Sequence, residues 1–183
     1  MKKKLKIATT LIIFISFGWF AYTNLYPDQN LRRYSVYYAH NMEHKEGTHP
    51  EMAMALENIK AIRTPASRGI GYDYDGLAKV YNERNKKNGI VAWICATYAQ
   101  KNTEYLYVSC DNNSYIFNSD FTLKTVYNRD SANLDPEKSD IDEEELYKEV
   151  YNNFGFLVEA NVNRKPLINM QKEFNKKYYK RFN

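Results

Sequence analysis

The chain has 183 residues and a formal net charge of +4, with 26% charged and 44% hydrophobic residues. This balance excludes an intrinsically disordered chain, and the length favours one domain with its own hydrophobic core. The excess positive charge lies mainly at the two ends of the chain, as in a membrane-flanking cluster and a solvated helix end. Because the N-terminal sequence predicts export, nucleic acid is not an expected partner.

The segment 1–26 has the pattern of an export signal. Four lysines precede an uncharged apolar run over 7–22, and Trp19, Tyr22 and Tyr26 form an aromatic rim at the far end. Lysines before an apolar run and aromatic residues after it are typical of a single membrane span whose N-terminus stays in the cytoplasm. The segment therefore predicts both a location and an orientation for the rest of the chain.

Two fates are open to this segment. If it is retained, residues 7–26 are long enough to cross a bilayer core as a helix, and the domain 27–183 lies in the periplasm, anchored to the bacterial inner membrane. If signal peptidase removes it, the only suitable site has Ser16 and Gly18 before Trp19, and the domain becomes a secreted periplasmic protein. Retention is the preferred prediction, because the cleavage site is poorly specified.

A helical hairpin is predicted directly after the anchor. Apolar residues recur at helical spacing over 30–45, and a second helix is predicted to begin with the capping box of Thr48 and Glu51 and to end near Ile62. The side chains expected to be buried in this pair are Leu31, Tyr34, Tyr38, Met42, Met52, Leu56, Ile59 and Ile62.

The middle of the chain changes to a period of two. A loop over 64–71 and a short helix over 76–87, capped by Asp75, are predicted to precede that change. Alternating residues then predict an antiparallel meander, and its strands are expected at 90–99, 105–111, 115–119 and 121–128. The expected fold class is α+β: an N-terminal transmembrane helix, the helical hairpin, and a four- to five-stranded antiparallel meander packed with helices.

Two helices and one more strand are predicted in the C-terminal part. Ser139 and Asp142 have the spacing of a capping box, which predicts a helix that ends at Gly155. Residues 156–162 are predicted to form a strand, and a last helix to begin at Pro166. The side chains expected to be buried are Leu146, Val150, Phe154, Leu167, Met170, Phe174 and Tyr178.

The two cysteines are predicted to form a disulfide. If Asn102 and Thr103 are the central residues of the turn between the first two strands of the meander, Cys95 lies directly opposite Cys110. Opposed residues in adjacent strands have the Cβ separation that a disulfide needs, and the inferred compartment is oxidising. The alternative is a pair of buried free thiols.

Three histidines lie close together. His40, Glu43 and His44 match the H-x-x-E-H spacing in which two histidines on one helix bind zinc and the glutamate activates the metal-bound water. The candidates for a third ligand are His49 and a carboxylate from a distant part of the chain. The simpler interpretation is a hydrated helix end that binds no metal, and on that interpretation no cofactor is expected.

Tyrosines offer a candidate interaction surface. In the predicted register Tyr98 lies opposite Tyr107, and Tyr105 shares their face of the hairpin, away from the cysteines. That face is either covered by a helix or presented to a partner as an aromatic surface.

No glycine-rich phosphate loop and no G-x-S-x-G nucleophile elbow occur in the sequence. The expected function is therefore that of a non-enzymatic, membrane-anchored extracytoplasmic interaction protein. It is expected to be either an accessory subunit of an envelope complex or an inhibitor or immunity-type protein, and its partner another envelope or membrane protein. The alternative from a different class is a small zinc-dependent hydrolase that uses the histidine motif.

An apolar N-terminal helix followed by an antiparallel meander with a disulfide resembles the arrangement of type IV pilin-like subunits. The resemblance implies a pilin-like subunit as a further alternative. The chain departs from that family in two respects: it lacks a glycine cleavage site followed by phenylalanine, and its apolar run contains no glutamate.

Overall fold

The computed structural model describes the backbone of residues 2–65, 70–73, 78–82, 93–96, 105–110, 113–128 and 141–183. Side chains are described over 7–22, 24–65, 114–127 and 141–183. The helices in these ranges are α1 (Lys2–Leu25), α2 (Pro27–Arg33), α3 (Ser35–His40), α4 (Pro50–Glu57), α5 (Glu143–Val162) and α6 (Gln171–Phe182). The strands are β1 (Ile70–Asp73), β2 (Ala78–Asn82), β3 (Trp93–Ala96), β4 (Tyr105–Cys110), β5 (Asn113–Asn118) and β6 (Leu123–Asn128).

The strands form one antiparallel sheet in the order β1-β2-β3-β4-β5-β6. The predicted combination of helices and an antiparallel sheet is confirmed, and the described sheet has six strands instead of four or five. The additional strands, β1 and β2, include residues for which a loop over 64–71 and a helix over 76–87 were predicted. Residues 78–82 fit a period of two as well as a helical one, and pairing with β3 decides for the strand.

The predicted register of the cysteine hairpin is wrong. Cys95 pairs with Tyr107, whereas the prediction paired Cys95 with Cys110 and Tyr107 with Tyr98. The observed pairing is shifted by three residues relative to the predicted one. With this register the Cα atoms of Cys95 and Cys110 lie about 11 Å apart, beyond the separation that a disulfide spans without backbone movement. The disulfide stays a prediction, but the register that motivated it is gone.

Helix α5 is longer than predicted. It continues through Gly155 to Val162, so the predicted break and the predicted strand at 156–162 are wrong. The buried residues Leu146, Val150, Phe154, Leu157 and Asn161 recur at one helical spacing along its whole length.

The predicted capping box at Ser139 does not begin helix α5. Ser139 lies outside the described residues, and the helix is capped by Asp142, whose Oδ1 accepts hydrogen bonds from the backbone N–H groups of Glu144 at 3.0 Å and Glu145 at 3.1 Å. These bonds satisfy two donors of the first turn that have no partner within the helix.

The predicted helical hairpin is divided into shorter pieces. The first predicted helix, 30–45, is interrupted at Tyr34 and ends at His40, and the second ends at Glu57. His49, not Thr48, is the N-cap of α4, so the capping box proposed there is also wrong. All eight side chains predicted to be buried in this pair are buried, although the predicted bounds of the two helices are wrong.

The described hydrophobic core lies where α3, α4, α5 and α6 pack on β5 and the turn after it. Its largest fully buried side chains are Tyr38, Phe117, Phe121, Phe154, Phe174 and Phe182. Phe117 and Phe121 stack with ring centroids 4.3 Å apart, which fixes the β5–β6 turn against the helices. Phe174 and Tyr178 are buried as predicted, whereas Leu167 is 69% exposed because α6 begins at Gln171 and not at Pro166.

No single helix in the described part of the chain meets the length and hydropathy criteria for a membrane span. Residues 7–22 of α1 meet them only together with α2, as a pair bent by 78°.

One buried and two partly buried tyrosines predict a loss of stability in alkaline solution. Burial raises the pKa of Tyr147, Tyr151 and Tyr178 to about 12 in each case. A phenol that holds its proton more tightly in the folded chain contributes stability that is complete below the unfolded pKa, about 10, and is lost as the pH rises toward the folded value.

Urea unfolding of the full chain is therefore expected to show a falling free energy of unfolding as the pH is raised from about 10 to about 12. The Tyr151→Phe variant should show a shallower decline, because one of the three groups no longer titrates. A free energy of unfolding that stays constant over this window would contradict the assignment.

Candidate functional site

Helix α1 exposes apolar side chains around its whole circumference. Residues 11–15 are all apolar, and each has more than half of its surface accessible. Five consecutive positions go round more than one helical turn, so no face of this part of α1 packs on the domain. An apolar surface of this kind is unfavourable in water and requires an apolar environment.

The C-terminal end of α1 is joined to the domain by a buried hydrogen-bond network. Asn24 is 4% exposed, and its side-chain oxygen accepts a hydrogen bond from the Tyr34 hydroxyl at 3.1 Å. Asn30 is fully buried, and its Nδ2 donates to the backbone oxygens of Asn24 at 2.9 Å and Ile168 at 3.1 Å. The network thus ties α1 to α2 and to the segment before α6.

Tyr38 is the central residue of this junction. Its side chain is fully buried; the hydroxyl donates to Asn30 Oδ1 at 2.6 Å and accepts a hydrogen bond from the backbone N–H of Met170 at 3.1 Å. Its backbone oxygen accepts a hydrogen bond from Gln171 Nε2 at 2.8 Å. Since buried polar groups are costly unless paired, these bonds fix α3 against the start of α6.

A basic pocket lies beside the C-terminal end of α1. Its cavity has a volume of about 590 Å³, and Trp19 and Tyr22 of α1 line it on one side. The cationic side chains that line it are Arg32, Arg33, Lys60, Arg63 and Arg164. None of the lining residues in the described part of the chain is acidic. The pocket therefore concentrates positive charge next to the aromatic rim of α1.

Asn161 of α5 brings two of these arginines together. Its Oδ1 accepts a hydrogen bond from the backbone N–H of Arg63 at 2.9 Å, and its Nδ2 donates to the Arg63 oxygen at 2.7 Å. Its own backbone oxygen accepts from the N–H of Arg164 at 3.0 Å. Asn161 is 1% exposed, so this clamp between two distant chain segments is part of the protein interior.

The Tyr34 ring makes cation–π contacts with two arginines of the pocket. The guanidinium carbon of Arg164 lies 5.1 Å from the centroid of the Tyr34 ring, and that of Arg33 lies 5.8 Å from it. Both distances are within the range of cation–π contacts. Burial lowers the pKa of Arg164, and the charges of Arg33 and Arg63 lower it further. The cations of the pocket therefore repel one another.

A second groove, of about 490 Å³, is also lined by Trp19. It is bounded by Arg33, Lys165 and Leu167, together with residues of α1. Leu167 and Ile168 are 69% and 37% exposed, so an apolar loop tip lies alongside the apolar helix.

The histidine motif does not form the predicted metal-binding helix. Helix α3 ends at His40, and Asn41 is its C-cap, so His40 and His44 do not occupy successive turns of one helix. His40 Nδ1 lies 3.2 Å from Glu51 Oε1, while His44 Nδ1 lies 3.2 Å from Thr48 Oγ1. No group of three potential metal ligands occurs among the described residues.

His49 packs in an aromatic cluster. Its ring centroid lies 4.2 Å from that of Tyr147 and 6.1 Å from that of Phe121. Burial lowers the pKa of His49, so the neutral ring is favoured there. Its surroundings are those of a packed side chain at the start of α4.

The candidate tyrosines and cysteines of the predicted hairpin lie outside the side chains that the structure describes. Tyr98 lies outside the described residues, and the side chains of Tyr105, Tyr107, Cys95 and Cys110 lie outside the described side chains. The tyrosine surface and the disulfide therefore stay predictions.

The basic pocket was not predicted from the sequence. Its one signal there is the pair Arg32 and Arg33, which follows the apolar run closely. Arg63 and Arg164 carried no comparable signal, because only the fold brings them together.

No family model matches the chain, and no curated protein or solved structure is significantly similar to it.

Proposed function

We propose that the protein is a non-enzymatic interaction protein tethered to a bacterial inner membrane by residues 7–26. Its N-terminus lies in the cytoplasm and its domain, 27–183, in the periplasm. Its partner is another protein of the same membrane or envelope, which it serves as an accessory subunit or blocks as an inhibitor or immunity-type protein. The observation that carries the proposal is the unpacked apolar helix joined to a folded domain through a buried junction.

The apolar surface of α1 supports membrane insertion. Its side chains at 11–15 are exposed on all sides, whereas the domain buries its own large apolar residues in a continuous core. At 1.5 Å per residue, a helix over 7–26 is about 30 Å long. The apolar run 7–22 makes up about 24 Å of this length, and the aromatic rim of Trp19, Tyr22 and Tyr26 occupies the interfacial region at its far end.

The charge distribution supports the orientation. Four lysines precede the apolar run, and two arginines, Arg32 and Arg33, follow it closely. Because the side with more basic residues stays in the cytoplasm, the lysine end is expected inside and the domain outside.

The junction supports retention of the segment. Cleavage between Gly18 and Trp19 would cut through α1, which continues as one helix to Leu25. The lower part of that helix belongs to the domain, since the Asn24 side chain is buried and hydrogen-bonded to Tyr34.

The same junction supports a partner in the membrane. Only Tyr26 separates α1 from α2, so no flexible linker lets the domain move far from the bilayer. A domain held in one orientation at the membrane surface can meet only partners at that surface.

A cross-linking experiment tests the proposed function. Affinity purification of the tagged full-length protein from cross-linked, solubilised membranes is expected to recover a membrane protein in constant ratio to it. When residues 1–26 are replaced by a cleavable signal peptide, so that the domain is released into the periplasm, recovery of that protein is expected to fall strongly. The reason is that the tether supplies a high local concentration of the two proteins.

Two results would contradict the proposal. One is the recovery of no protein in constant ratio, which removes the interaction. The other is stoichiometric zinc in the purified protein that is lost in the His44→Ala variant, because it would favour the hydrolase class.

A further inference from the structure

The basic pocket lies at the depth of the lipid headgroups if α1 crosses the membrane. Trp19 and Tyr22 line the pocket, and such side chains settle at the boundary between hydrocarbon and headgroups. Tyr22 is held in place by its hydroxyl, which accepts a hydrogen bond from Gln29 Nε2 at 3.1 Å. The arginines that share the cavity with these two rings are therefore level with the lipid phosphates.

The direction of α2 favours the same placement. Helices α1 and α2 are bent by 78°, so α2 runs close to the membrane plane when α1 is close to the membrane normal. Arg32 and Arg33 lie in the last turn of α2. The exposed side chain of Leu167, which lines the second groove with Trp19, is then available to the interfacial region.

The charge of the pocket selects an anion. Four arginines line the cavity together with Lys60, and no carboxylate occurs among the described lining residues. Guanidinium groups match the geometry of phosphate oxygens and form paired, charge-assisted hydrogen bonds with them. A bound phosphate would relieve the repulsion between Arg164 and its neighbours Arg33 and Arg63.

Buried residues of the domain hold the arginines of the pocket in place. Asn161 fixes the backbone at Arg63 and Arg164, and the Tyr34 ring supports the guanidinium groups of Arg33 and Arg164. The groups are thus held near one another before a ligand arrives, which reduces the entropy lost on binding.

We propose that the basic pocket binds the phosphate of an anionic glycerophospholipid from the bilayer that holds α1. The inference rests on the proposed function in one respect: α1 must lie in the bilayer for the pocket to meet a lipid. The lipid orients the domain on the membrane.

The test uses the full chain in a neutral detergent. Native mass spectrometry with added phosphatidylglycerol is expected to show one retained lipid, and added phosphatidylcholine to show none. The variant Arg32→Gln/Arg63→Gln is expected to bind phosphatidylglycerol roughly 25-fold more weakly, because each basic side chain near an anionic headgroup contributes about fivefold. Both side chains are exposed, and the hydrogen bonds of Arg63 to Asn161 use only its backbone, so the fold is retained.

The matched control is Lys172→Gln/Lys176→Gln, which removes two exposed charges from α6. It should bind phosphatidylglycerol like the unchanged protein. Circular dichroism and the thermal transition of each variant show that folding is intact. Equal weakening in the control, or equal retention of both lipids, would overturn the pocket assignment.

Inorganic phosphate and glycerol phosphate distinguish a soluble ligand from a lipid. If either displaces phosphatidylglycerol at equal concentration, the site takes soluble phosphate and the lipid assignment is overturned. Carbonate extraction of membranes separates this proposal from the tether. Protein that stays in the pellet but does not retain phosphatidylglycerol would contradict the lipid site alone, and protein that is extracted would contradict the tether.

Discussion

The Tyr38→Phe variant is expected to lower the free energy of unfolding by about 3 kcal/mol. The substitution preserves the ring and its packing on Phe174, whose centroid lies 5.4 Å away, and removes only the hydroxyl. Asn30 Oδ1 then loses its donor and the Met170 N–H loses its acceptor. Asn30 is fully buried, so the desolvation of its side-chain oxygen is no longer offset. Urea unfolding of the full-length protein in detergent measures the change.

Tyr37→Phe is the control for this prediction. Tyr37 neighbours Tyr38 on α3 and is only half-buried, so the same chemical change is expected to alter the free energy of unfolding by less than about 0.5 kcal/mol. Equal effects of the two substitutions would show that the junction has no special role in stability.

The Asn161→Ala variant is expected to lower the free energy of unfolding by about 2 to 3 kcal/mol and to weaken the basic pocket at the same time. The side chain makes hydrogen bonds to both backbone groups of Arg63 and to the Leu157 oxygen at 2.8 Å. Without it, the segment after α4 is no longer tied to the end of α5. Retention of phosphatidylglycerol should therefore fall although every arginine of the pocket is still present.

Asn152→Ala is the matched control, since Asn152 is an exposed residue of the same helix. Alanine is the better helix former, so this substitution should be neutral or slightly stabilising. Lipid retention that persists in a folded Asn161→Ala variant would mean that overall charge, and not the arrangement of the arginines, holds the lipid.

Burial could be predicted from the sequence better than the bounds of the elements. The residues of the first helices that recur at helical spacing are buried, because the apolar pattern determines which side faces the core. The predicted break at Gly155 failed for a related reason. A glycine costs about 1 kcal/mol inside a helix, and the burial of Phe156 and Leu157 directly after it outweighs that cost.

Properties that depend on contacts between distant segments could not be predicted. The pairing of β3 with β4 differs from the predicted one by three residues, and the residue types of the two strands fit either register. The basic pocket draws side chains from α1, from α2, and from the segments after α4 and α5. Only the packing of α5, through Asn161, places Arg63 beside Arg164.

Digestion of spheroplasts with an added protease, followed by mass determination of the fragment that the membrane protects, tests whether residues 7–26 are retained as a tether. We expect that the domain is digested from outside and that the protected fragment begins at Met1. We also expect that this fragment contains the whole apolar run 7–22. A full-length protein that resists the protease until the cells are lysed would contradict the orientation, and a membrane without any fragment containing residues 7–18 would contradict the retained tether.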